Sequence, residues 1–147
     1  MKYIGQSTWV EAVAFCELED SQLPLPQTSQ ENTDLYNYLN SIDLVSGWLD
    51  GTDETEEGVW LDSAGNDITF FHWRAEQPDN YNGNEHFLMY RSGWGGTWND
   101  HTGTHTDAVV CQKPVEIFGK SYRSIRNISL ECNKLKQLKK RQRHHLL

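Results

Sequence analysis

Gln77, Asp79 and Glu85 lie within one polar run, Gln77-Pro78-Asp79-Asn80-Tyr81-Asn82-Gly83-Asn84-Glu85, and Asn99 and Asp100 follow in a short Trp98-Asn99-Asp100 motif. These five side chains are three carboxylates and two amides, the donor set of a hard cation. Calcium takes about six to eight oxygens from carboxylates, amide carbonyls, backbone and water. Three carboxylates gathered without a cation repel one another, so a divalent ion gives the set a physical reason. No Cys or His is required, which favours a hard ion over zinc. The bland alternative is a polar surface loop, because these residue types are common on surfaces. A rigid turn at Pro78, cis or trans, would point the Gln77 and Asp79 oxygens the same way. Upstream, Asp53, Glu54, Glu56 and Glu57 form a second acidic knot, and Asp53 with Glu57 would reach a second ion if the loops converge. The pattern is not an EF-hand loop.

Catalytic chemistry is weakly supported. Asp79, Glu85 and Asp100 as a hydrolytic carboxylate pair is a distant reading, since metal ligation explains them better. No Cys/His or Ser/His/Asp arrangement stands out, and the six histidines (72, 86, 101, 105, 144 and 145) read as polar surface or loop residues. The expectation is a protein that is not an enzyme.

The elements that must position these residues are short. Thr8 with Glu11 is a capping box, and Trp9, Ala12, Val13 and Cys16 share one helical stripe. That helix should end near Glu19, before Leu23-Pro24-Leu25-Pro26. Thr28 with Glu31 opens a second helix through Leu35, Tyr38 and Leu39, stopping near Asn40. Short strand candidates then cover 44–49, 58–61, 68–73, 86–90 and 108–112, separated by Gly, Asn and Asp. Helices followed by strands predict an α+β domain. From Trp73 to Trp98 the chain is otherwise polar and glycine-rich, and a long ordered loop of that kind is either functional or held by something other than packing.

Composition divides the 147 residues in two. Residues 1–112 hold 19 of the 21 acidic and 3 of the 13 basic residues, a net charge of −16, whereas 113–147 hold 10 basic and 2 acidic residues, a net charge of +8. The expectation is one domain over 1–113 with a basic C-terminal tail over 114–147, flexible or marginally helical, whose partner is unknown. The acidic body repels polyanions and suits cations, so no nucleic-acid partner is expected for it. Contact of the tail with nucleic acid or an anionic membrane is a minor alternative. No apolar run is long enough to span a membrane, and the first residues show no signal peptide. Of the three cysteines, Cys16 and Cys111 could close a loop around the whole domain, worth about 4 kcal/mol by chain entropy. Three reduced buried thiols are the competing reading.

Taken in order, Trp9 to Cys16, Trp48-Leu49-Asp50-Gly51-Thr52-Asp53, Glu57-Gly58-Val59-Trp60, Gln77-Pro78-Asp79, Asn84-Glu85, Trp98-Asn99-Asp100 and Ala108-Val109-Val110-Cys111 resemble the C-type lectin domain family from about Tyr3 to Lys113. The resemblance implies a loop-within-a-loop fold with two helices, small antiparallel sheets and a long calcium-binding loop, beginning at the edge of the first strand. It implies a Cys16–Cys111 disulfide and an extracellular, secreted setting, with either an incomplete chain start or an atypical secretory route. It implies that Gln77, Asp79, Glu85, Asn99 and Asp100 form a principal Ca2+ and sugar site, to which Asp100 adds its backbone carbonyl. Asp53, Glu57, Asn80 and Glu85 match an auxiliary Ca2+ site, and His86 stands where the family usually has a carboxylate. Gln-Pro-Asp goes in this family with galactose and Glu-Pro-Asn with mannose. Tyr81 would stack on the apolar face of a galactose ring or else pack the loop, and Trp94 is a weaker candidate for stacking. Phe87 and Gly103 replace the family's second disulfide, so the loop should lean on calcium and on the packing of Phe87. Asp50 replaces a family glycine.

The function so implied is calcium-dependent binding of galactose- or N-acetylgalactosamine-type glycans and glycoproteins. The alternative is a calcium-stabilised protein-binding or adhesion module, antifreeze-like or coagulation-related, of the same fold. Cys132 leaves the cysteine count odd, which admits self-association through pairing between chains. Asn127-Ile128-Ser129 is an N-glycosylation sequon that matters only in the secretory pathway.

Overall fold

The computed structural model describes residues 1–114. Met1–Lys113 forms a compact unit; the basic tail beyond it, with Cys132 and the Asn127 sequon, lies outside the described residues. Its elements are β1 (Lys2–Ser7), α1 (Trp9–Leu18), α2 (Ser29–Ser41), β2 (Ser46–Thr52), β3 (Phe87–Arg91), β4 (Thr97–His101) and β5 (Asp107–Cys111). β1 pairs antiparallel with β5, bringing the ends of the unit together, and β2, β3 and β4 form a second antiparallel sheet in that order. This is the expected α+β architecture of two helices and small antiparallel sheets.

Both helices begin where their caps dictate. At α1 the Thr8 N–H donates to Glu11 Oε2 at 3.0 Å, completing a capping box, and Trp9, Ala12 and Cys16 are buried. At α2 the box is half formed: the Thr28 hydroxyl accepts the Glu31 N–H, but the Glu31 carboxylate accepts from Gln27 N–H rather than from Thr28. The Cys16–Cys111 disulfide joins α1 to β5 across 95 residues of sequence. Reduced thiols are therefore not the state of this pair.

Two expected strands are absent. Residues 58–61 and 68–73 make only isolated bridges, Thr52 with Leu61, Leu61 with Asp67 and Trp73 with Trp98. Aromatic packing holds the second segment instead: Phe71 stacks on Trp73 at 5.4 Å, Trp60 lies 5.2 Å from Trp73, and Phe70 meets Trp98 edge-on at 5.7 Å. Their β-branched and aromatic composition satisfies a core without a ladder. β1 lies where the resemblance implies a first strand, at the start of the unit, and β4 is a strand that the sequence pattern does not predict.

β3 is buried on both faces, as a central strand should be. Phe87 and Met89 join a core cluster with Trp9, Ala12, Cys16, Trp48 and Val109, whereas Leu88 and Tyr90 join Leu35, Leu39, Leu49, Trp60 and Trp98. Indole N–H groups pin these clusters to the backbone: Trp9 donates to Leu49 O at 2.8 Å and Trp48 to Ser7 O at 2.7 Å. The Trp98 indole donates to Asn32 Oδ1 at 2.8 Å, and Asn32 in turn donates to Gly96 O. Asp50 is buried and accepts both the N–H and the hydroxyl of Ser63, which ties β2 to the following loop.

Phe87 and Gly103, where the resemblance implies that a second disulfide is replaced, touch. Phe87 is 5% exposed, its ring centroid lies 5.2 Å from that of Trp9, and a Cβ added to Gly103 would sit 2.7 Å from Phe87 Cε2. An aromatic ring lying on a glycine thus closes the loop after β4, as expected of Phe87.

Candidate functional site

Asn99 and Asp100 belong to a strand rather than a loop. In the β3–β4 register Asp100 faces Leu88 and Asn99 faces Met89, so the aromatic core around Trp98 fixes their position. Asp100, 1% exposed, accepts the backbone N–H of Asn80 at 2.7 Å and that of Asp79 at 3.3 Å. The 77–80 turn is therefore laid against β4. Its Gln77–Pro78 peptide is cis, and the Gln77 N–H donates to Arg74 O at 3.0 Å.

Asn80 takes a left-handed conformation, φ 41°, which Asn tolerates better than most residues. Its Oδ1 accepts the Glu85 N–H at 3.0 Å, and Glu85 Oε2 accepts the Tyr81 N–H at 3.3 Å. These bonds fold the short 3-10 turn Tyr81–Gly83 back, so that Glu85 returns to Asp79 and Asp100. One oxygen from each of the three carboxylates lies within 4.8 Å of the others.

Gln77 completes the set. Its side-chain oxygen faces Asn99 Oδ1 and Asp100 Oδ1, each at 2.7 Å, and Asp79 Oδ1 at 3.2 Å. Four oxygens without a proton between them are repulsive. Turning the amide over would put its nitrogen among the same oxygens, since amide orientation is assigned from partners. A turned amide supplies hydrogen bonds but no charge, whereas the three carboxylates remain crowded. Burial first, then the Asp100 and Asp79 charges, push the Glu85 carboxyl above its ordinary range. Burial likewise pushes Asp100 up, against the backbone N–H groups that favour its charged form. A divalent cation with the Gln77 oxygen inward satisfies both oxygens and charge, so the residues fit a hard ion. The Asp100 carbonyl, expected as a further ligand, accepts the Asn99 amide nitrogen.

Tyr81 stands at the rim of this cluster, 66% exposed. Trp94 is less available, because the Arg74 and Arg91 guanidiniums lie 3.9 Å and 4.9 Å from its ring centroid, a cation–π arrangement.

Asp53, Glu57 and Asn80 also come together, around a residue that composition left on the surface. His86 Nδ1 is 3.0 Å from Asp53 Oδ1 and 3.5 Å from Glu57 Oε2, and Asn80 Nδ2 donates to Glu57 Oε2 at 2.6 Å. His101, at the end of β4, is partly buried. It stacks on His105 at 4.0 Å, and burial first, with His105 and Arg91 beside it, lowers it to about 4.

The fold has counterparts among known proteins. The family model for the lectin C-type domain matches residues 5–113. C-type lectin domain family 10 member A of Rattus norvegicus is 32% identical over 111 residues, 72% of this chain and 32% of that protein. The chain spans about a third of the length of the mammalian relatives it matches. The C-type lectin CEL-I from Cucumaria echinata superposes with a TM-score of 0.67 at 25% identity, covering 75% of this chain and 86% of that one. Herring type II antifreeze protein gives a TM-score of 0.68 at 29% identity, over 78% and 89% of the two chains. With a family model spanning nearly the whole described unit, the chain belongs to the C-type lectin domain family.

Proposed function

We propose that residues 1–113 bind Ca2+ through Gln77, Asp79, Glu85, Asn99 and Asp100, and through that ion bind galactose- or N-acetylgalactosamine-type glycans. The observation that carries this reading is the convergence of the Asp79, Glu85 and Asp100 carboxylates, one oxygen of each within 4.8 Å of the others, with the Gln77 amide and Asn99 Oδ1 beside them. When bound, the ion supplies coordination positions that two adjacent sugar hydroxyls can fill. The chain's own groups then sort the hydroxyls. Asp79 and Glu85 can only accept their protons, whereas the Gln77 and Asn99 amides can present either an oxygen or a nitrogen. The order amide-then-carboxylate across Pro78 therefore reads a hydroxyl geometry opposite to that of carboxylate-then-amide. Tyr81, exposed at the rim, offers a ring to the apolar face of the sugar.

The domain is a binding module rather than an enzyme, as befits its family. The Cys16–Cys111 bridge supports an extracellular setting. Among the described residues no helix is long and apolar enough to cross a membrane. A single small sugar site buries little surface, so weak affinity strengthened by multivalency or self-association is the expected mode.

The test is calorimetric titration of galactose and mannose with and without calcium, on the oxidised chain and on a Gln77→Glu, Asp79→Asn variant. Galactose binding that needs calcium, and a shift toward mannose in the variant, are expected. Calcium-independent or absent galactose binding by the parent chain refutes the reading. The likeness to an antifreeze protein favours a second reading, a calcium-stabilised module that presents a non-sugar surface. Calcium that raises thermal stability while a broad glycan array stays blank would select it.

A further inference from the structure

The two acidic clusters differ in what satisfies them. Around Asp79, Glu85 and Asp100, one oxygen of each carboxylate lies within 4.8 Å of the others, with only the neutral Gln77 and Asn99 amides beside them. Around Asp53 and Glu57, protein donors occupy the space between the carboxylates. Asp53 is 2% exposed; its Oδ2 accepts the Gly58 N–H at 2.8 Å, and its Oδ1 meets His86 Nδ1 at 3.0 Å. Glu57 Oε2 accepts Asn80 Nδ2 at 2.6 Å and lies 3.5 Å from the same His86 nitrogen. With the ring proton on Nδ1, one N–H lies between the two carboxylates, and this holds for the neutral imidazole. The network continues through Asn80, whose Oδ1 accepts the Glu85 N–H and whose own N–H donates to Asp100 Oδ2. His86 is thus linked, through Glu57 and Asn80, to two residues of the other cluster.

We propose that His86 is a positioning residue whose imidazole takes the place of a metal ion between Asp53 and Glu57. It clamps the Asn80–Glu85 loop in the absence of any ion, and the domain consequently holds one calcium ion and not two. The ion count rests on the calcium reading above; the clamp does not. A carboxylate at this position would have the opposite effect, because three carboxylates around Asn80 would require a cation to converge.

Two measurements on the full oxidised chain decide the matter. In calcium-free buffer, amide hydrogen exchange at Asn80, Tyr81 and Glu85 should run at least about tenfold faster in His86→Ala than in the parent, since local opening sets exchange. The amides of β5 should be unchanged. Calcium titration by calorimetry should give one ion for the parent, one ion bound about tenfold more weakly for His86→Ala, and two ions for His86→Asp. In His86→Asp, saturating calcium should restore the slow exchange lost in its calcium-free form, a rescue that a merely packed histidine would not allow. Unchanged exchange in His86→Ala, or two ions in the parent chain, overturns the proposal. A parent chain that binds no calcium while His86→Ala exchanges faster would refute the calcium reading and leave the clamp standing.

Discussion

Replacing Phe87 by Ala tests how far the contact of its ring with Gly103 and Trp9 holds this domain together. The ring is 5% exposed, and deleting a buried phenyl group costs about 3–5 kcal/mol. Its surroundings place the loss near the middle of that range or above. On one side lies Trp9, whose indole is anchored to Leu49 O at 2.8 Å and cannot slide in. On the other lies the Gly103 backbone, where an added Cβ would come within 2.7 Å of Phe87 Cε2. With about 4 kcal/mol lost and each kcal/mol worth about 4 °C for a domain of this size, Tm should fall by about 16 °C. The converse substitution, Gly103→Ala, overfills the same contact and should cost about 1–3 kcal/mol. Because the two residues touch, their effects should couple: in a Phe87→Leu background the Gly103→Ala penalty should shrink by about 1 kcal/mol or more. Thermal and urea unfolding of the oxidised, calcium-free chains supply all four values of the cycle. A Phe87→Ala loss below about 1 kcal/mol, or a Gly103→Ala penalty equal in both backgrounds, refutes the claim that this contact closes the loop.

Two further outcomes follow from the buried polar groups. In the calcium-free domain Glu85 and Asp100 titrate above their ordinary values of 4.5 and 3.8, so their contribution to stability is present in acid and is lost as pH rises through the raised values. Calcium should therefore raise Tm most near pH 7 and by progressively less as these carboxylates protonate; Asp100→Asn should flatten the calcium-free limb, and a calcium effect independent of pH would contradict the crowding argument. Asn32→Ala removes the acceptor of the buried Trp98 indole N–H and the donor to Gly96 O. Leaving an indole unpaired should cost about 1–3 kcal/mol, read by denaturant unfolding, and a change below about 0.5 kcal/mol would show that the bond does not hold β4.

Local rules made the helices legible. Thr8 with Glu11 and the Trp9, Ala12, Cys16 stripe placed α1, and the candidate ligand residues stood out by their oxygen chemistry and by their order along the chain. β4 was not legible from periodicity, since Thr97-Trp98-Asn99-Asp100-His101 has only one apolar side chain and two residue types depleted in strands. It is a strand because β3 and the Trp98 core impose one. Residues 68–73 show the reverse: Ile68, Phe70, Phe71 and Trp73 carry strand propensity, yet their rings find partners in Trp60 and Trp98 without a ladder. His86 was invisible to composition because a histidine's role depends on what faces it across a fold. Only the convergence of Asp53 and Glu57 gives it one.

The same distinction divides the proposed site into a fixed half and a yielding half. Asn99 and Asp100 sit on β4, with Trp98 fully buried beside them, so their positions follow from the core whether or not a ligand is present. Gln77, Asp79 and Glu85 sit on a loop with no buried apolar side chain of its own between Gln77 and Glu85. That loop is held by the amides of Asp79 and Asn80 on Asp100 and by the Asn80 bonds to Glu57 and Glu85. Segments fixed by a few hydrogen bonds rather than by burial open at lower free energy than core strands. Ion binding should therefore act chiefly on the loop, slowing exchange from Asp79 to Glu85 while leaving Trp98 and Asn99 nearly unchanged. Hydrogen exchange with and without calcium would read this directly, and equal protection of both halves would show that the strand also depends on the ion.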